Sequence, residues 1–107
     1  MSKGPGIRMQ DVMVSPDFTQ SVVLSSGTAQ AFDTPTGMCF ASFAMNNDVW
    51  VSYGSTAAAV PSTSSTAATG SELNPTIRNI GSTLATTGIS LVSDYATKGS
   101  INWFKPF

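Results

Sequence analysis

No histidine occurs anywhere in this 107-residue chain, which removes the commonest general base and the commonest transition-metal ligand. Charge is scarce as well: five Lys and Arg stand against six Asp and Glu, and charged residues make up 10% of the sequence, where soluble domains carry about 25%. The basic residues Lys3, Arg8, Arg78, Lys98 and Lys105 are scattered. No patch of them could neutralise a run of phosphates, so direct nucleic-acid binding is not expected. The single cysteine, Cys39, excludes an intrachain disulfide and gives no sign of a stapled secreted scaffold. Inside the apolar run MCFASFAM it reads as a small buried hydrophobe. No stretch approaches the roughly 18 apolar residues of a membrane span, and MSKGPGIRMQ lacks the apolar segment of a signal peptide. Synthesis in a cytoplasm, without the usual export route and without a membrane partner, is the expectation.

Catalytic patterns are missing too. There is no GxSxG element, no EF-hand loop and no Cys/His cluster able to hold zinc. The GPG at residues 4–6 is not followed by the strand-to-helix pattern of a phosphate loop. Asp11, Asp17, Asp33, Asp48, Glu72 and Asp94 stand one at a time in turn-like surroundings, where a carboxylate commonly accepts backbone N–H groups. A two-carboxylate glycosidase site would need two of them to converge, and no spacing argues for it. No enzyme activity, cofactor or metal is expected.

What the chain does contain is hydrophobic residues at 41% and a total of 29 Ser and Thr. That is enough for one core beneath a hydroxylated rather than ionic surface. Such a surface is either covered by neighbouring subunits or lies outside a cell. Residues 1–18 hold two glycines and two prolines around Ile7, Met9, Val12 and Val14, too few apolar groups to fold alone. They are expected to form an extended N-terminal arm whose apolar side chains contact a partner.

From residue 19 onward, apolar residues recur with the two-residue period of strands. QSVVLSS (20–26) and TAQAF (28–32) read as strands before the DTPTG turn. MCFASFAM (38–45) and DVWVSY (48–53), joined through Asn46 and Asn47, read as a β-hairpin, because Asn tolerates the left-handed backbone of tight turns. A helix is the weaker reading there, given the β-branched and aromatic residues at alternate positions. Both faces of this hairpin carry large apolar groups, so a central, doubly covered position is expected. Residues 76–80 after Asn74-Pro75 read as a short strand. TGISLVS (87–93) and SINWFKPF (100–107) read as a second hairpin, its last strand stopped at an edge or at the terminus by Pro106. Six to eight short strands and no useful helix predict an all-β domain over residues 19–107, a small antiparallel β-sandwich or jelly roll.

Residues 54–71, GSTAAAVPSTSSTAATGS, carry no charge and no aromatic ring. Loops this long are usually functional or disordered, and Ala, Ser and Thr lose little side-chain entropy when fixed. The segment is expected to cross onto a neighbouring subunit, with Val60-Pro61 as its stiff midpoint. Trp50, Tyr53 and Trp103 could instead build a sugar-stacking platform, although such rings more often fill a core or an oligomer seam.

The stretch FAMNNDVWVSYGSTAAAVPS, the following SELNPTIRNIG and the closing TGISLVSDYATKGSINWFK resemble small virion accessory proteins of tailed bacteriophages over residues 38–105. In those proteins strands run into a Gly-Ser/Thr-Ala loop, an acidic-Leu-Asn-Pro turn and a final aromatic-rich strand. The resemblance implies a non-enzymatic structural role, with a capsid decoration (cement) protein first and a neck, tail or fibre subunit next. It implies the major capsid protein or another virion protein as partner, the capsid exterior as location, and a homo-oligomer, a trimer being favoured on capsid lattices. It transfers no site residues. The contact residues expected from the chain itself are Ile7, Met9, Val12, Val14, Val60 and Pro61. A carbohydrate-binding adhesin module using Trp50, Tyr53 or Trp103 is the competing reading from a different class.

Overall fold

A computed structural model describes residues 15–54, 56–64, 70–80 and 88–105. Residues 1–14 of the expected N-terminal arm (1–18), with Ile7, Met9, Val12 and Val14, lie outside the described residues. Its last residues join the sandwich, where the Asp17 N–H donates to the Trp103 carbonyl at 2.9 Å and Phe18 opens the first strand. All regular structure among the described residues is strand: β1 (Phe18–Leu24), β2 (Gln30–Phe32), β3 (Phe40–Met45), β4 (Trp50–Tyr53), β5 (Glu72–Leu73), β6 (Ile77–Asn79), β7 (Ile89–Val92) and β8 (Thr97–Phe104).

Pairing is nested, first strand with last. β1 pairs with β8, β2 with β7, β3 with β6 and β4 with β5, each antiparallel. The chain is thus one long two-stranded ribbon folded back on itself, and its tip is the 54–71 segment between β4 and β5. Rolling the ribbon places alternate rungs in two four-stranded sheets, ordered β1-β8-β3-β6 and β2-β7-β4-β5. Ladders between β3 and β8 and between β4 and β7 knit each sheet together. The expected antiparallel sandwich is therefore present, in the jelly-roll form.

Both expected hairpins are corrected by this topology. β3 and β4 belong to different sheets and do not pair. A tight two-residue turn needs the left-handed backbone at Asn46 and Asn47, but Asn74, at φ 48°, is the only non-glycine residue with positive φ among those described. Asn46 is instead held by β8: its N–H donates to the Lys98 carbonyl at 2.9 Å and its Oδ1 accepts the Lys98 N–H at 2.9 Å. The Asn47 side-chain amide donates to the Ala96 carbonyl at 3.1 Å. With both asparagines engaged on the β8 side, the chain crosses to the opposite layer. β7 and β8 likewise lie in different sheets. Their crossing is organised by Ser93, whose hydroxyl donates to the Asp48 carbonyl at 2.6 Å and accepts from the Thr97 hydroxyl at 2.9 Å. β8 is not an edge strand, because β1 and β3 flank it.

The core follows the pleat. Val22 and Leu24 of β1, Ala41 of β3, and Ile101 and Trp103 of β8 face Val49, Val51, Ile89 and Leu91 across the layers, all essentially sealed from solvent. Burying each large aliphatic or aromatic side chain stabilises the fold by about 1.5–3 kcal/mol relative to exposure. Phe32, Met38, Phe43, Met45 and Tyr53 pack around this cluster partly buried. Cys39 is half-buried, which corrects the expectation of a small buried hydrophobe at this position. Two glycines are required by close approach. A Cβ at Gly88 (φ 73°) would run into the Phe32 carbonyl oxygen, and one at Gly99 would strike the Ala44 carbonyl oxygen and the Met45 sulfur.

Candidate interaction surfaces

The outer face of the second sheet receives the described part of the long Ser/Thr/Ala segment around Ala58. On β4 the inner residues Val51 and Tyr53 alternate with outer Trp50 and Ser52. The register sets Ser52 opposite Ser90, and Ser90 opposite Ala31. A row of small side chains thus crosses the outside of β4, β7 and β2. Ser52 and Ser90 are nonetheless 8% and 5% exposed, so something covers them. Ala58 is 5% exposed and donates its N–H to the Ser90 hydroxyl at 2.9 Å. The next residue, Ala59, donates its N–H to Ser71 Oγ at 3.1 Å. Small residues on both sides let the segment's backbone lie directly on the sheet. This stretch is expected, from the sequence, to cross onto a neighbour; its described part is pinned at Ala58 to its own chain. Beyond the pin, Val60 is half-buried and Pro61 exposed. Pro61 lines a shallow depression of about 460 Å³ with residues 62–64.

One open side of the sandwich is closed by a polar latch. β6 and β5 are edge strands of the first and second sheets, and the Arg78 guanidinium forms a two-pronged ion pair with Glu72 across the gap. The Tyr53 hydroxyl donates to Glu72 Oε1 at 2.7 Å. Hydrogen bonds from Arg78 and then Tyr53 hold the Glu72 carboxyl below the usual carboxylate range. Burial, reinforced by the Glu72 hydrogen bond, pushes the Tyr53 phenol well above its ordinary value. Arg78 is raised in turn by its bond to Glu72. All three ionisation states are locked at neutral pH, which suits a structural clasp rather than proton transfer.

At one end of the sandwich a cleft of about 400 Å³ is lined by residues 43–49 and 74–76. Asn74 braces it. Its backbone N–H donates to the Val49 carbonyl at 2.8 Å, its Oδ1 accepts the Val49 N–H at 2.9 Å, and its amide donates to Asp48 Oδ1 at 2.8 Å. The left-handed backbone of Asn74 lets one residue make all three bonds, a tolerance asparagine has more than most residues. In the sequence Asn74-Pro75 reads only as a turn; the pairing partner 25 residues upstream has no local signal.

The three aromatic residues do not form a platform. Trp103 is 0% exposed and donates its indole N–H to Gln20 Oε1 at 2.7 Å, between the sheets. Trp50 and Tyr53 project from opposite faces of β4, Tyr53 toward the core and Trp50 outward. No pair of them can stack on one sugar.

The outer face of the first sheet is nearly uncharged. Its residues include Thr19, Ser21 and Val23 of β1, Ser42 and Ala44 of β3, and Ser100 and Asn102 of β8, with Lys98 its one ionic group among the described residues. Phe104 is 3% exposed although it lies outside the inter-sheet cluster, opposite Phe40. Val23 at 66%, Leu73 at 46%, Phe18 at 44% and Ile77 at 38% are apolar side chains left open on or beside strand edges. Among the described residues, no group of three or more Cys, Asp or Glu side chains is gathered as a metal site would require. No protein family, curated protein or solved structure matches the chain, so its function has to be read from these surfaces.

Proposed function

We propose that this chain is a structural virion protein of a tailed bacteriophage, a decoration (cement) protein on the capsid exterior. In this reading it stabilises neighbouring capsid subunits by non-covalent contact after synthesis in the host cytoplasm. It is no enzyme, needs no cofactor, and engages other proteins rather than nucleic acid or membrane. The observation that carries the reading is the pairing of a well-filled jelly-roll core with broad neutral, hydroxyl- and amide-bearing outer faces. Such faces come close to a partner without burying unpaired charge, whereas a freely dispersed monomer gains from ionic ones. The sequence resemblance over residues 38–105 points the same way, and jelly rolls serve in capsids as well as in lectins.

The contact residues of this proposal are Ile7, Met9, Val12 and Val14 of the N-terminal segment, with Val60 and Pro61 beyond the Ala58 pin. Burial of Trp103 and the opposed directions of Trp50 and Tyr53 weigh against the sugar-binding alternative. A neck, tail or fibre subunit would use the same contact chemistry at a different copy number. The test is capture of the purified protein by phage particles lacking it. Saturable binding that raises the particles' thermal resistance supports decoration; failure to bind, or glycan-dependent binding to cells instead, overturns it.

A further inference from the structure

We infer that the chain pairs with a second copy of itself along β1, in a two-fold antiparallel arrangement centred on Ser21. Edge strands are templates for unwanted pairing, and proteins commonly blunt them by shortness, charge or proline. Three of the four edges here follow that rule. β2 and β6 have three residues each and β5 has two, and Arg78 and Glu72 place charges on the last two. β1 does not follow it. Its seven residues, FTQSVVL, contain neither charge nor proline and keep an unbroken register with β8 from Phe18 to Leu24. Among the described residues nothing pairs with its other side.

The register determines which groups β1 offers. On the β3 side the Asn46 and Cys39 N–H groups donate to the Lys98 and Phe104 carbonyls of β8, and on the β1 side the Asp17 N–H donates to the Trp103 carbonyl. Backbone direction alternates along a strand, so the even-numbered residues of β8 turn their polar groups to β3 and the odd-numbered ones to β1. The β1 residues opposite the odd-numbered ones are Phe18, Gln20, Val22 and Leu24. Thr19, Ser21 and Val23 are left with N–H and C=O groups directed outward. A second β1, antiparallel and centred at Ser21, sets Ser21 against Ser21 and Thr19 against Val23. Each facing pair exchanges two bonds, and every outward group on both strands is satisfied at once. The same rotation lays exposed Phe18 beside the copy's Leu24 and exposed Val23 beside its Thr19. A seven-residue segment that satisfies itself this completely makes a second copy the occupant.

An antiparallel edge pair is isologous and closes at two copies. It differs from the three-fold arrangement that the resemblance favours, and it does not depend on what larger structure the protein joins. The test is sedimentation of the full-length chain alone from low micromolar to near-millimolar concentration. A species of twice the 11.1 kDa chain mass is expected. Ser21→Lys and Ser21→Glu each put like charges opposite one another across the axis and should weaken association by about tenfold. An equimolar mixture of the two should recover it. Tyr95→Lys, at an exposed position in the β7–β8 crossing, should leave association unchanged. Circular dichroism of each variant checks that the fold is kept, and the mixture experiment reads the register even if both variants lose some stability. Monomer throughout the series, a three-copy species, loss of association in Tyr95→Lys, or no recovery on mixing overturns the inference.

Discussion

Trp103 should be the single most costly side chain to remove. It is fully buried, sits opposite Ala41 on one flank and Phe18 on the other, and is anchored by Gln20 at 2.7 Å. Trp103→Ala leaves a cavity between two sheets that cannot collapse without breaking ladders on both sides of β8, so a loss of about 3–5 kcal/mol is expected. Small domains have about 5–15 kcal/mol in total, and the variant should be largely unfolded at moderate temperature. Trp103→Phe keeps most of the volume but strips Gln20 Oε1 of its donor. Gln20 is half-buried and can recruit water, so the cost should fall near the lower end of about 1–3 kcal/mol. That is a drop in Tm of about 4–8 °C for each kcal/mol. Urea unfolding followed by far-UV circular dichroism measures all of this without relying on tryptophan emission. Trp50, half-buried on the outer face, supplies the comparison. The reasoning is refuted if Trp103→Ala unfolds within about 1 kcal/mol of the parent, or if Trp50→Ala costs more.

Ser90→Ala removes the acceptor for the Ala58 N–H; hydrogen exchange at Ala58 should quicken while exchange in β7 stays slow, and unchanged exchange at Ala58 would remove the pin from the account. Acid should loosen the Tyr53–Glu72–Arg78 latch. Glu72 has its carboxyl lowered in the folded state, so its contribution is present above the unfolded carboxylate value of about 4.3 and is lost as pH falls through the folded value. Because the pair is largely exposed the effect is small, and Glu72→Gln should flatten only this acid limb of the stability curve; an identical limb in the variant contradicts the assignment. Replacing Ile7, Met9, Val12 and Val14 together with Ser should leave the melting temperature unchanged and weaken capture by particles, and undiminished capture would remove them as contacts. Salt should weaken capture little, since few charges are available to be screened; release by moderate salt would show an electrostatic contact absent from this proposal.

Local pattern located the strands well, and for a clear reason. Val22 and Leu24 alternating with Ser21 and Val23, or Ile101 and Trp103 with Asn102, write the pleat into the sequence, because one face meets the core. Which strands pair is not written locally. The Asn46-Asn47 dipeptide is a sound hairpin signal in isolation, yet Lys98 and Ala96, some fifty residues away, take up its hydrogen bonds. Nested pairing of first with last strand leaves no short-range trace. The final strand illustrates the same limit: Pro106 suggests an edge or the chain terminus, and β8, which ends at Phe104 near the terminus, lies between β1 and β3 rather than at an edge. Among surface features, the smallness of the 54–71 side chains was legible, and at Ala58 it lets the segment's backbone reach the sheet. The surface approached at Ala58 is the row of Ser52 and Ser90, residues that an alternating strand pattern treats as solvent-facing. The aromatic trio looked alike in the sequence and separated only when the register gave each ring its face.

The central claim, a protein that coats the capsid by contact, is tested most directly by quantitative mass spectrometry of purified phage particles. The account predicts this chain in stoichiometric proportion to the major capsid protein. Absence from the particles, or the few copies of a single neck ring or fibre, would contradict it.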